Sequence, residues 1–318
     1  MIDFRYHLVS LAAVLVALAI GIVLGAGPLN DDIGNTLNSE VTRLRGEKED
    51  LRRDLGDAQR GIDGRDTYDE ATVSRVVDGR LADRRVVVVT LPQGDEQVAG
   101  EVGQTVEAAG GTLVEQVALD PSWVGEDDGT GRREVGAAAL RDLGVPAGSD
   151  DPVDRALGVA LAGRAGDRTV DDGARDRAWQ RLTDADLVGS PAEVPERADL
   201  VVVVGAPIPA ETGTGEDDVQ TRTEATARRW VRLTRSLDES SSGVVLAEPQ
   251  AEAGEDDVSL VSTARGGTGL SEGVSTVDVP EVPMGRAAVV LALQEQLDGE
   301  SGHYGLGQDA AAAVPDVS

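Results

Sequence analysis

An α/β protein is what this sequence predicts, with an N-terminal transmembrane helix, a coiled-coil stalk and then a doubly wound, mainly parallel sheet. Three observations predict it. Leu8 to Gly27 is an uncharged apolar run, the segment after it repeats apolar residues at heptad spacing, and short β-branched runs then alternate with helical stretches.

The first run reads LVSLAAVLVALAIGIVLGAG, 20 residues in which Ser10 is the one polar side chain. A bilayer core of roughly 30 Å is crossed by about 20 helical residues, so the length suits a span. A buried helix of a soluble domain would be shorter and carry a polar face. A cleaved signal would have a shorter apolar region, and its best small-x-small pair, Gly25 and Gly27, would leave Pro28 at the cut. The run is therefore read as an uncleaved anchor over residues 8–27. Arg5 and the amino terminus precede it, whereas Asp31 and Asp32 follow. That bias places residues 1–7 in the cytoplasm and the remainder outside, a single pass of the cell membrane. Ala13, Ala17, Gly21 and Gly25 recur at every fourth position and form a small-residue face of the kind that lets membrane helices pack closely.

Gly27-Pro28 and the polar stretch to Gly34 are expected to interrupt the helix. Within residues 36–62, Leu37, Val41, Leu44, Lys48, Leu51, Leu55, Ala58 and Ile62 then alternate steps of four and three. This is a narrow a/d seam with charged residues elsewhere, and it predicts a parallel, dimeric coiled coil. A lone amphipathic helix lying on a domain would show a wider stripe. Lys48, the sole lysine of the chain, occupies an a position, where a polar residue costs stability and specifies register. The stalk would reach about 40 Å, and with the anchor it predicts a homodimer.

From residue 84 the pattern predicts one extracytoplasmic α/β domain ending at 298. Val86–Leu91, Thr112–Leu119, Asp199–Pro207, Val244–Pro249 and Val274–Val279 read as strands, the first and third as continuous apolar runs buried on both faces. Helical stretches lie between them, near Asp95–Ala109, Arg132–Leu143, Pro152–Ala165, Arg175–Val188 and Asp218–Leu237, and Met284–Leu297 follows as a nearly all-apolar helix. Strands alternating with helices favour a parallel sheet. The Gly- and Ala-rich segment 299–318 reads as a disordered tail.

Composition narrows the chemistry. The 318 residues carry a net charge of −29 and no cysteine, which excludes disulfides, thiolate metal sites and a cysteine nucleophile. An acidic field opposes nucleic acid as a partner. Neither Pro92-Gln93-Gly94-Asp95 nor Gly205-Ala206-Pro207 is a dinucleotide or phosphate loop, and no GxSxG elbow is present. With His7 and His303 as the only histidines, no catalytic residue and no cofactor-binding residue stands out, and the chain is read as a non-enzyme.

The segments FRYHLVSLAAVLVALAIGIVLGAG and GRAAVVLALQEQLDGESGHYG, with the heptad stalk between, resemble the actinobacterial family of mycobacterial copper transport protein B, MctB. The resemblance implies an envelope location and a role in copper transport or tolerance, with copper as the implied metal. His303, within Gly302-His303-Tyr304-Gly305, matches the family motif and is the candidate metal ligand, with a packing or turn role as the other reading. Copper favours thiolate, thioether or imidazole ligands, and Met1, Met284, His7 and His303 stand far apart in sequence. Two functions stay open: a component of copper transport, or a structural or regulatory envelope protein whose stalk and domain recruit a partner in cell-wall growth or division.

Overall fold

The computed structural model describes residues 4–25, 29–124, 130–148, 151–210, 216–250, 257–267 and 273–316. It divides into two units, residues 1–65 and 66–318. The first holds helix α1 (Phe4–Gly25) and most of helix α2 (Leu29–Val77). Residues Phe4–Val23 of α1 are long and apolar enough to cross a membrane. Gly27-Pro28, the expected interruption, lies outside the described residues. The helix resumes at Leu29, however, so the stretch to Gly34 is helical rather than broken. One interior glycine costs about 1 kcal/mol relative to alanine, too little to end a helix of this length.

The second unit is built on a seven-stranded sheet in the order β5-β2-β1-β6-β7-β8-β9. The five expected strands are there: β1 (Arg85–Thr90), β2 (Thr112–Leu119), β6 (Leu200–Val204), β7 (Val244–Ala247) and β8 (Ser275–Val277). They pair in parallel, with Val86 opposite Leu200 and Val201 opposite Val244. Two short edge strands were not expected. β5 (Val188–Ser190) pairs antiparallel to β2, and β9 (His303–Tyr304) pairs parallel to β8. Part of the segment expected as a disordered tail therefore closes one edge of the sheet, and backbone bonds from Ala311 to His303 and from Gly305 to Ala312 fold the chain back along β9.

Alternation along β1 divides the core. Val87 and Val89 face one apolar cluster with Leu157, Trp179, Trp230 and Leu237. Val86 and Val88 face the other, with Val102, Val106, Val289 and Leu293. Helices α3 (Glu96–Ala108) and α9 (Pro283–Leu297) thus cover one face. Helices α5 (Pro152–Ala162), α6 (Asp172–Asp184), α7 (Glu216–Ser240) and α8 (Leu260–Gly266) cover the other. A third cluster joins α4 (Thr130–Leu143), α5 and α6 beside a two-stranded ribbon of β3 (Arg164–Ala165) and β4 (Arg168–Thr169). The core begins upstream of residue 84: Val77, at the end of α2, and Leu81 are completely buried.

Local chemistry explains the helix starts. Asp95 accepts from the backbone N–H of Gln97 and Val98, Asp151 from that of Val153, and Asp171 from that of Ala174, each satisfying donors that a first turn leaves open. On α7 one side is buried, with Thr223, Ala227, Trp230 and Leu237 inside. The near-continuous burial of α9 accounts for its lack of a polar face.

Candidate functional site

The candidate ligand His303 sits on β9, directly opposite Thr276 of β8. The Thr276 hydroxyl lies 3.0 Å from His303 Nδ1 and also accepts a hydrogen bond from Arg265 Nε at 2.9 Å. A hydroxyl has one proton and two lone pairs, so Thr276 can accept from Arg265 and either donate to Nδ1 or accept from it, according to the imidazole tautomer. Burial first, and then the Arg265 charge, hold the His303 pKa below its ordinary value, in keeping with a neutral ring.

Arg265, from the last turn of α8, is the centre of this cluster, and its side chain is 3% exposed. It donates to Asp278 at 2.7 Å, to Asp309 at 2.8 Å and to the Tyr304 carbonyl at 2.7 Å. Asp278 also accepts from the backbone N–H of Leu306 and Gly307. The loop can close on that carboxylate because its glycines have no Cβ: one on Gly305, at φ 132°, would lie 2.0 Å from Asp278 Oδ1. Burial raises the Asp309 carboxyl, but the bonds from Arg265 and Ser262 outweigh it and hold the group below its ordinary value. The place a metal cation would take among these oxygens is held by a guanidinium. Among the described residues no group of three or more His, Asp or Glu is placed to hold a metal ion. Met284 opens α9, half-buried and away in sequence from His303.

Parallel α/β sheets bind ligands beyond the carboxyl ends of their strands where the winding reverses. Here that point lies between β1 and β6, where the chain's own backbone packs closely. Leu91 N–H donates to the Val204 carbonyl at 2.9 Å and Gly94 N–H to the Leu91 carbonyl at 2.8 Å. A Cβ on Gly94 would come 2.8 Å from the Val204 oxygen, and one on Gly205 would come 2.6 Å from Leu260 Cδ1. At the neighbouring end of β7, Glu248 spends both carboxylate oxygens on Ser259 Oγ and the Leu260 N–H, each at 2.6 Å. Burial raises its pKa.

A second buried cluster joins the single-turn helix Pro121–Val124 to α5. Trp123 Nε1 donates to Asp154 at 3.0 Å, and Arg132 approaches Asp154 at 3.9 Å while bonding Asp151. Burial, and then the charge of Asp151, push the Asp154 pKa up to about 7 against the Trp123 bond and Arg132.

The remaining sequence-predicted residues lie on the two long helices. Ala13, Ala17 and Gly21 are exposed along α1, and Gly25 is its last residue. Along α2, Leu37, Leu44, Leu51, Leu55 and Ile62 are between 48% and 69% exposed; Lys48 and Ala58 are exposed and Val41 half-buried. Arg265, Asp278 and Asp309 were not singled out from the sequence, because nothing local marks an arginine and two aspartates that meet across separate elements. The one available signal was the Gly302, Gly305, Gly307 spacing, which marks a backbone closing tightly on something.

A bilayer-length apolar helix, a long helix with an exposed leucine seam and a mixed α/β domain on a mostly parallel sheet fit a membrane protein. The chain belongs to the family described as the copper transport outer membrane protein MctB, which it matches over residues 1–315. Curated relatives include copper transporter MctB of Mycobacterium tuberculosis (strain ATCC 25618 / H37Rv), 29% identical over 335 aligned positions that cover 99% of each chain. The protein of that name from Mycobacterium leprae (strain TN) is 28% identical over 328 positions, 98% of each.

Proposed function

We propose that this chain is a non-enzymatic, single-pass protein of the cell envelope that contributes to copper transport or tolerance. In this reading the N-terminus is cytoplasmic and the doubly wound domain is held outside on a dimeric stalk. The observation that carries the copper role is the family match from the first residues through β9, which includes anchor, stalk and domain together. The second reading, recruitment of an envelope partner, is supported by the Arg265 guanidinium, which sits among the Asp278 and Asp309 oxygens where a metal ion would otherwise lie.

A copper titration of the full-length protein in detergent separates the two. Tight stoichiometric binding lost in His303→Ala supports a direct ligand role for His303. Binding no stronger than that of scattered carboxylates, with copper sensitivity of a deletion strain rescued equally by wild type and His303→Ala, supports action through a partner. If the deletion strain grows normally in copper, the copper role itself fails.

A further inference from the structure

Building on the reading of the α2 seam as a self-association surface, we infer that it accepts a second copy of this chain in one arrangement, parallel and in register. The seam assigns Leu37, Leu44, Leu51 and Ala58 to d and Val41, Lys48, Leu55 and Ile62 to a. The flanking positions then separate by charge. Glu40, Glu47 and Asp54 fall at g, whereas Arg45, Arg52 and Gln59 fall at e.

In a parallel, in-register coil each g residue faces the e residue five positions on in the other copy. Glu40 then meets Arg45, Glu47 meets Arg52 and Asp54 meets Gln59. An antiparallel pair would set g against g and e against e, carboxylate to carboxylate and guanidinium to guanidinium. The pattern thus contains both an attraction and a penalty against the competing arrangement.

The single chain leaves the arginine half of this charge code unspent. Arg43, on the outer face, bonds both Glu40 and Glu47, and Asp50 and Asp57 take Arg53 and Arg60. Arg45 and Arg52 are exposed and make no ion pair among the described residues. A carboxylate accepts several hydrogen bonds at once, so Glu47 can serve Arg43 and an arginine from the second copy together. The same register places each Lys48 beside Glu47 of the other copy, which offsets the cost of an ammonium at an a position.

Because the chain has no cysteine, introduced thiols report alone. The test is oxidative crosslinking of full-length Leu37→Cys and Ile62→Cys proteins in native membranes. Each variant is expected to link to itself and the mixed pair not to link. Linkage only between Leu37→Cys and Ile62→Cys chains would establish an antiparallel pair and overturn the inference while keeping self-association. No linkage in any combination, with wild-type protein sedimenting as a monomer, would remove the self-association reading on which it rests. In the Leu37→Cys background, reversing Glu40 and Glu47 to Arg, or Arg45 and Arg52 to Glu, should each lower linked dimer at least tenfold, and mixing the two should restore it. Wild-type linkage by both reversed chains alone would overturn the charge code.

Discussion

Trp123 and Asp154 are joined by an indole-to-carboxylate hydrogen bond of 3.0 Å, in a site where Asp154 is 5% exposed. The bond favours the ionised carboxylate, yet burial dominates and the pKa stands at about 7. An unfolded aspartate titrates at about 3.9, so the folded state binds this proton more tightly. The resulting stabilisation is complete below about pH 4 and is lost as the pH rises through 7. Asp238, pushed up to about 6 by burial and then Glu239, acts with the same sign. Thermal melts between pH 5.5 and 8 should show wild type losing stability toward pH 8. Asp154→Asn keeps an acceptor for Trp123 and removes the titration, so its advantage over wild type should be about 2 kcal/mol larger at pH 8 than at pH 5.5. An equal difference at both pH values would show that Asp154 does not titrate in this range.

Gly305→Ala should be among the most damaging small substitutions in the domain. It meets both a left-handed backbone and a carboxylate 2.0 Å from the new methyl. A loss of about 2–4 kcal/mol in chemical denaturation is expected. Gly299, at φ 80° with open space around it, supplies the comparison: alanine there should cost about 1 kcal/mol, for conformation alone.

Arg265→Met removes the cation from between Asp278, Asp309 and Thr276 while keeping the length of the side chain. It leaves Asp278 buried without its counter-ion, which should cost about 3–5 kcal/mol. Asp309→Asn, at a side chain 39% exposed, should cost under about 1 kcal/mol. Urea midpoints of the two variants should therefore separate widely, and a small effect from Arg265→Met would show that the cluster does not hold the β8–β9 edge.

Lys48→Leu should raise the melting temperature of the stalk-paired protein, since it replaces two like charges at the seam with apolar contact. Leu44→Asp with Leu51→Asp should yield monomers. Thermal melts check the first and sedimentation of the protein in detergent the second, and a monomeric wild type at tens of micromolar would sink them together.

Periodicity was legible wherever burial is strict. The runs at Val86–Val89 and Leu200–Val204 announce strands covered on both faces, and Thr223, Ala227 and Trp230 announce the inner side of α7. The edge strands were not legible: β5 and β9 contribute three and two residues, too few to establish a period of two. The same reason hid the order of the last segment, where glycines and alanines suggest disorder and the ordering groups, Arg265 and Asp278, lie on distant elements. His303 was visible as a rare residue in a distinctive tetrapeptide, but its partner Thr276 follows only from pairing β8 with β9.

Helix α1 presents one bilayer-length span per chain among the described residues, and this bears on how any ion would cross. One helix encloses nothing, and a pair of helices is a rod without a lumen. A conduit made of these segments alone would need on the order of four or more of them in a ring. From Leu8 to Val23 the sole polar side chain is the Ser10 hydroxyl, with no thioether, thiol or imidazole, so such a ring would offer a copper ion hydrocarbon in exchange for its hydration shell. A peptide of α1 alone is therefore expected to leave the conductance of a lipid membrane unchanged.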